Sequence, residues 1–159
     1  MPDRLIAIEI DDRGLPAPSP EMAQERRVAV LDLLEANRFV LPPRADRPTQ
    51  GPWKLLLAIR EGRLVFAVST EAGEPAGEFH MSLGPFRQVV KDYFQICDSY
   101  YEAVRTLPPS QIETIDMARR GIHNEGARIL QERLDGKATL DQDTARRLFT
   151  LICVLQAGR

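Results

Sequence analysis

The longest helical pattern in the chain runs from Ser110 to Leu134, where apolar residues recur on one stripe at spacings of three and seven. The stripe consists of four isoleucines: Ile112, Ile115, Ile122 and Ile129. Ser110 followed by Glu113 fits a capping box, and Gly136 stands where a left-handed residue closes the last turn. A second stripe is polar in its first half and apolar in its second, whereas a solvated face would stay polar throughout. The pattern therefore predicts a polar group embedded in a packed helical surface.

Two further helices are predicted on either side of this one. Residues 85–106 carry apolar side chains over a wide face, which predicts burial on more than one side. The short linker Thr106–Pro109 makes this helix an antiparallel neighbour of the next, and a rise of about 1.5 Å per residue places Arg119–His123 opposite Tyr93–Cys97. The last helix is apolar almost all round from Leu148 to Leu155, so we expect it in the middle of the core.

The first half of the chain has a different pattern. Residues 5–10 (LIAIEI) form a short predicted strand, and Ser19 caps a helix that begins at Pro20. The apolar side of that helix is predicted from four residues: Ala23, Val30, Leu31 and Leu34. After a proline-rich loop, the period changes to two between Trp53 and Leu83, with WKLLLAIR and RLVFAVS joined by the turn Glu61–Gly62 and followed by EFHMSL.

These elements predict an α+β fold. Its small antiparallel sheet is a three-stranded meander, to which the N-terminal strand can be added at an edge, and the sheet packs against a layer of C-terminal helices. At 159 residues the chain is expected to form one domain, with a strand–helix–meander half over 1–83 and a three-helix half over 84–159.

Composition and charge narrow the functional classes. The formal net charge of −2 and the pI near 5.7 argue against nucleic acid as a partner. No segment approaches the roughly 20 apolar residues of a membrane span, and the N-terminus lacks the basic-then-apolar order of a signal peptide. We therefore expect a cytoplasmic protein, in which Cys97 and Cys153 are buried thiols.

The polar residues of the long helix are the candidate functional site, and five of them are candidate binding residues: Arg119, Arg120, His123, Asn124 and Glu125. The two arginines offer forked donors for phosphate or carboxylate, and His123 is the candidate general acid or base because it titrates near neutrality. Glu125 lies about 200° around the helix from His123, which argues against an acid–base pair and a metal site on one face. No cofactor motif is present, and no metal or cofactor is predicted.

The same residues also allow a purely structural interpretation. A polar layer between two helices is satisfied internally if Arg119 or Arg120 pairs with a carboxylate of the preceding helix and His123 bonds to a tyrosine hydroxyl or a carbonyl. The candidate carboxylates on that helix are three: Asp92, Asp98 and Glu102.

Two functional hypotheses follow. The first is a non-enzymatic interaction or regulatory module, which contacts a protein partner or a second copy of itself through the tyrosine-rich helix and the Arg119–Glu125 turn. The alternative is a binder of small anions, or an enzyme acting on phosphorylated or carboxylated molecules, that uses Arg119, Arg120 and His123. The absence of any catalytic motif in the sequence favours the first hypothesis.

Several stretches resemble one known family. PFRQVVKDYFQICDSYYEAVR, PSQIETIDMARRGIHNEGA and DTARRLFTLICVL, with RLIAIEID and ERRVAVLDLLEAN nearer the N-terminus, closely resemble the signature stretches of a small bacterial group catalogued as uncharacterised protein family 0262. The resemblance covers nearly the whole chain and is weakest in the proline-rich loop and the meander turns. It implies no established activity and no catalytic residue.

Overall fold

The structure is a computed structural model that describes residues 2–48 and 50–157. Over these residues the elements follow in the order β1 (Leu5–Ile10), α1 (Pro20–Glu35), β2 (Phe39–Val40), β3 (Trp53–Arg60), β4 (Arg63–Thr70), β5 (Pro75–Ser82), a short 3₁₀ turn (Gly84–Phe86), α2 (Arg87–Thr106), α3 (Pro109–Arg133), β6 (Thr139–Leu140) and α4 (Gln142–Leu155). Helices pack against a small sheet, so the predicted α+β class is confirmed. No helix in the described part is long and apolar enough to cross a bilayer.

The main sheet has the strand order β1-β3-β4-β5, and β2 and β6 form a separate two-stranded antiparallel sheet. Strands β3, β4 and β5 form the predicted antiparallel meander. Glu61 and Gly62 both have positive φ, 53° and 74°, which is the conformation of a tight two-residue hairpin turn. The N-terminal strand joins the edge as expected, but it runs parallel to β3 because α1 carries the chain back across the sheet before β3 begins. The sheet is therefore mixed.

Helix α4 lies in the middle of the core, as its all-round apolar pattern predicted. Every residue from Leu148 to Leu155 is buried. The helix packs against α1 and α3 and also contacts α2 and β3, so it joins the helical layer to the sheet. Asp141 caps its N-terminus by accepting a hydrogen bond from the amide of Thr144 at 3.1 Å.

Helix α1 begins as predicted but faces another way. The Ser19 hydroxyl accepts from the amide of Met22 at 3.1 Å, and Pro20 is the first helical residue. The buried line is Met22, Ala29 and Leu33, whereas Leu31 of the predicted apolar side is exposed. At about 100° per residue, the buried line lies roughly a third of a turn from the predicted one. Which of these two sides of α1 is buried depends on the position of α4. The local periodicity of the sequence carries no information about that position.

The α2–α3 hairpin confirms the predicted antiparallel pair and corrects two details. Helix α3 begins at Pro109 without a side-chain cap, so the capping box at Ser110 is wrong. Proline suits the first helical position because it has no amide to satisfy, and the helix therefore starts before Ser110. Helix α2 is buried along one face only, and Val104 near its end is exposed. Gly136, with φ 79°, follows α3 as predicted.

The two glycines of α3 provide a test of the α3–α4 contact. A Cβ added at Gly126 would lie 2.5 Å from ring atoms of Phe149, whereas a Cβ at Gly121 would meet nothing within 4 Å. We expect Gly126→Ala to lower the free energy of unfolding by about 1–3 kcal/mol because α3 and α4 must separate. Gly121→Ala is the matched control, and its better helix propensity should raise stability by up to about 1 kcal/mol. Urea unfolding of both variants measures the difference, and equal effects would contradict this packing.

Candidate functional site

Arg119 lies at the centre of an interhelical polar network. Its guanidinium forms ion pairs at 3.3 Å with Glu25 of α1 and with Asp116 one turn earlier. The same guanidinium stacks over the Tyr100 ring of α2, 4.3 Å from the ring centroid. Glu25 also accepts a hydrogen bond of 2.5 Å from the Tyr101 hydroxyl. These five residues, which we call the Glu25–Arg119 network, join α1, α2 and α3.

The network corrects the predicted partners of the arginines. Helix α2 contributes aromatic groups, and the carboxylate that pairs with Arg119 comes from Glu25 on α1; the predicted ion pairs with Asp92, Asp98 or Glu102 are not formed. Asp92 instead accepts from Gln88 on its own helix at 2.9 Å. The reason is geometric, because the side of α3 that carries Arg119 faces α1 as well as α2.

The other candidate binding residues of α3 do not converge with Arg119 on one point. The Arg120 side chain is 69% exposed and pairs with Asp116 at 3.1 Å. Asn124 is exposed and accepts a weak hydrogen bond of 3.4 Å from Gln142. Glu125 is exposed and pairs with Arg128. Both arginines thus share one neutralising carboxylate, Asp116, and only Arg119 and His123 of the five are partly buried.

His123 is held by ring packing and one backbone bond. Its ring lies edge-on to Tyr93, with 5.2 Å between centroids, and to Phe149 at 6.3 Å. Its Nδ1 lies 3.1 Å from the carbonyl of Arg119, which accepts, so the proton of the neutral ring is on Nδ1 and Nε2 keeps a lone pair. Burial lowers the pKa of His123 below its ordinary value of about 6.5. The nearby Arg119 and Arg146 lower this pKa too.

A pocket of about 190 Å³ lies beside His123, between α1, α3 and α4. Three carboxylates line it, from Glu25, Asp32 and Asp143, together with the guanidinium groups of Arg146 and Arg147. Arg146 lies 3.4 Å from Asp143, and Arg147 lies 3.9 Å from Asp32. An anion placed beside the imidazole would therefore face more negative than positive side chains. This charge balance disfavours the anion-clamp interpretation.

Sequence reasoning missed the acidic wall of this pocket. Glu25 and Asp32 are seven residues apart and so lie on one stripe of α1, a signal visible in the sequence. Asp143, Arg146 and Arg147 have the spacing of an ordinary surface group on a helix, yet Arg147 reaches across to Asp32 on α1. The apolar side of α1 was predicted wrongly. The stripe with these two carboxylates was therefore not recognised and passes for a solvent-exposed face.

The two thiols offer no nucleophile. Cys97 and Cys153 are both buried and unpaired, as predicted. Burial raises the pKa of Cys97 to about 11 and that of Cys153 well above its usual range, so neither forms a thiolate at neutral pH. Within the described ranges, no group of three or more His, Cys, Asp or Glu residues is placed to hold a metal ion.

Removing the Glu25 carboxylate tests the network. Glu25→Ala leaves the partly buried Arg119 without its interhelical partner and the Tyr101 hydroxyl without its acceptor, so we expect a loss of about 1.5–3 kcal/mol of unfolding free energy. The matched control is Glu125→Ala, another helical glutamate whose partner, Arg128, is exposed; it should cost at most about 0.5 kcal/mol. Chemical denaturation of both variants makes the comparison, and equal losses would mean that the network contributes no more than a surface pair.

The lowered pKa of His123 predicts a pH dependence of stability. The unfolded chain binds a proton at this histidine near pH 6.5, and the folded chain does so only at lower pH, so stability must fall as the pH drops below about 6.5. His123→Gln should flatten this slope between pH 7 and the carboxylate range. His80 is the only other histidine, lies exposed on β5, and supplies the control His80→Gln, which should keep the slope. Unfolding curves measured over this pH range give the slope for each variant. An unchanged slope in His123→Gln would contradict the assignment of this pH dependence to His123.

The comparison with known proteins gives a family match over nearly the whole chain. No solved structure matches. The chain is 70% identical over 156 residues to a UPF0262 protein of Roseobacter denitrificans, covering 98% of each sequence. It is also 69% identical to a UPF0262 protein of a Ruegeria species over 98% of each sequence, and 69% identical to one of Ruegeria pomeroyi over 98% of this chain and 97% of the relative. The family model described as uncharacterised protein family (UPF0262) matches residues 2–158. The chain therefore belongs to this bacterial family.

Proposed function

We propose that this protein is a non-enzymatic interaction module of the bacterial cytoplasm. Its contact surface is the outer half of the α2–α3 hairpin, residues 100–120, and its partner there is a second copy of the chain. One observation carries the proposal: the apolar stripe of α2 continues past the end of the core into solvent.

The stripe can be followed residue by residue along α2. Tyr93 and Cys97 are fully buried, and Val104 lies on the same side of the helix at about 100° per residue. Val104 is nevertheless 53% exposed, and Leu107 beyond it is also exposed. Helix α3 behaves in the same way, because none of its residues 109–125 is fully buried and all of its buried residues lie from Gly126 onward. The outer half of the hairpin is thus incompletely covered, with Glu25 of α1 contacting it at Tyr101 and Arg119.

A second copy fits this surface on two grounds. Helices α2 and α3 leave part of their apolar stripes uncovered here, and a second hairpin would complete a four-helix bundle. The exposed charges of the outer half are balanced, with Glu102 and Glu113 against Arg105 and Arg120. A twofold axis brings the same patch of both copies together, so a patch that carries both signs can pair with itself.

The alternative function has less support. A binder of small phosphorylated or carboxylated molecules at Arg119, Arg120 and His123 would need free guanidinium groups, and both arginines already pair with carboxylates. Arg119 would have to leave Glu25 and the Tyr100 ring to hold a ligand. The exposed stripe requires no such rearrangement.

Sedimentation of two matched valine variants tests the proposed contact. We expect the wild-type chain to sediment as a dimer and Val104→Lys to raise the dimer dissociation constant roughly tenfold or more, because a buried apolar contact becomes a charge. Val28 on α1 is a matched control, since it is also a helical valine and 43% exposed; Val28→Lys should sediment like the wild type. A wild-type chain that stays monomeric at every concentration, or equal weakening by both substitutions, would overturn the proposal.

A further inference from the structure

A cleft of about 890 Å³ lies at the end of the sheet where β3 begins and β4 ends. Residues of all four strands of the main sheet line it, and the rest of its wall comes from the loop after β2 and the turn at Gly136 and Lys137. The cleft is much larger than the pocket beside His123 and falls within the size range of small-molecule sites. None of the candidate site residues of α3 lines it.

Part of the cleft wall is an apolar patch of the sheet. Leu56 of β3 pairs in register with Ala67 of β4, so the two side chains lie side by side on one face. Ala7 of β1 pairs with Lys54, two residues before Leu56, and therefore shares that face. All three apolar residues are only half-buried, although Leu56 and Ala67 lie on the two central strands of the sheet. A ligand with an apolar body would cover the surface that the protein leaves open here.

The charges around the cleft are unevenly paired. Arg44 pairs with Asp46 at 3.0 Å, and Glu78 pairs with His80 at 2.8 Å. Three further cations, Arg47, Lys54 and Lys137, line the same cleft without any carboxylate of the described residues within 4.0 Å. This contrasts with Arg119, which has two carboxylates within that distance. One further carboxylate, Glu9 of β1, also lines the cleft, where it pairs in register with Leu56. The lining thus carries four cations against three carboxylates, so the cleft has a small excess of positive charge beside an apolar wall.

Arg47 is held in position by the protein. Its Nη2 donates to the carbonyl of Pro42, which fixes the guanidinium against the loop. A Cβ added at Gly77 of β5 would lie 3.4 Å from its Nη1 and 3.0 Å from the Phe79 ring, so the glycine leaves room for this side chain at the sheet. Arg47 is half-buried, and among the described residues its hydrogen-bond partner is a carbonyl and not a carboxylate. A guanidinium in this state favours an anionic ligand group nearby.

We propose that this cleft binds a small amphiphilic acid, which is a molecule with one anionic group, phosphate or carboxylate, on an apolar body. The anionic group lies among Arg47, Lys54 and Lys137, and the apolar body lies against Leu56 and Ala67. The site is separate from the α2–α3 hairpin, so this proposal does not rest on the proposed self-association. A variant such as Val104→Lys leaves the cleft unchanged.

Titration calorimetry on the full chain with four probes tests the ligand class. The probes are octyl phosphate, octanoate, 1-octanol and inorganic phosphate, all kept below their aggregation limits. We expect octyl phosphate or octanoate to bind roughly tenfold or more tightly than both octanol and inorganic phosphate, because the cleft recognises the two parts together. The comparison of octyl phosphate with octanoate identifies the anionic group. Octanol binding as tightly as either amphiphilic acid, or no binding of either acid, would overturn the proposal.

The lysines of the chain provide the matched variants. There are three, of which Lys54 and Lys137 line the cleft and Lys91 is exposed on α2. The double variant Lys54→Gln/Lys137→Gln should weaken binding of the preferred acid roughly tenfold, and Lys91→Gln should leave it unchanged. Arg47 is not replaced, because its bond to Pro42 supports the loop. Ala67→Phe, which fills the apolar wall without changing charge, should weaken binding in the same way. Equal affinities in Lys91→Gln and the double variant would contradict the site.

Discussion

The fold depends on the close approach of α3 and α4 at Gly126. The Phe149 ring lies where a side chain at position 126 would begin, and this permits α4 to lie in the middle of the core. The same ring is edge-on to Tyr93 of α2, with 5.9 Å between centroids, and to His123 of α3. Three helices therefore meet around one aromatic side chain. The position and neutral state of His123 follow from this packing, because a ring held against two aromatic faces is poorly solvated.

The Glu25–Arg119 network marks the end of that core. On one side of it α2 and α3 are covered by α1 and α4, and on the other side they continue as a bare hairpin. Partly buried charges are tolerable there because each has a partner, and the Tyr100 ring covers the face of the guanidinium. The polar residues that interrupt the apolar pattern of α3 thus have a structural role in the first place. They fix α1 to the hairpin at the level where apolar packing stops, and Val104 beyond that level is 53% exposed.

Local patterns predicted the elements, because a helix or strand reveals itself over a few neighbouring residues. Ser19, the Glu61–Gly62 turn and Gly136 were each correct for this reason. The same patterns failed where the answer depended on distant residues. The side of α1 that is buried depends on α4, and the partner of Arg119 is Glu25, 94 residues away in the sequence. The cleft escaped prediction completely, since its wall is assembled from four strands, a proline-rich loop and a turn. None of these carries a recognisable motif.

The pairing of charges separates structural residues from candidate functional ones in this chain. Where the fold needs a cation between helices, it supplies carboxylates, as Glu25 and Asp116 do for Arg119. Arg47, Lys54 and Lys137 around the cleft receive no such partner from the described residues, even though three carboxylates, Glu9, Asp46 and Glu78, line the same cleft. Stability does not require three unpaired cations beside exposed apolar residues of a sheet. The cations of that wall therefore remain available to an anionic ligand. The charged groups around His123 are instead paired within the protein.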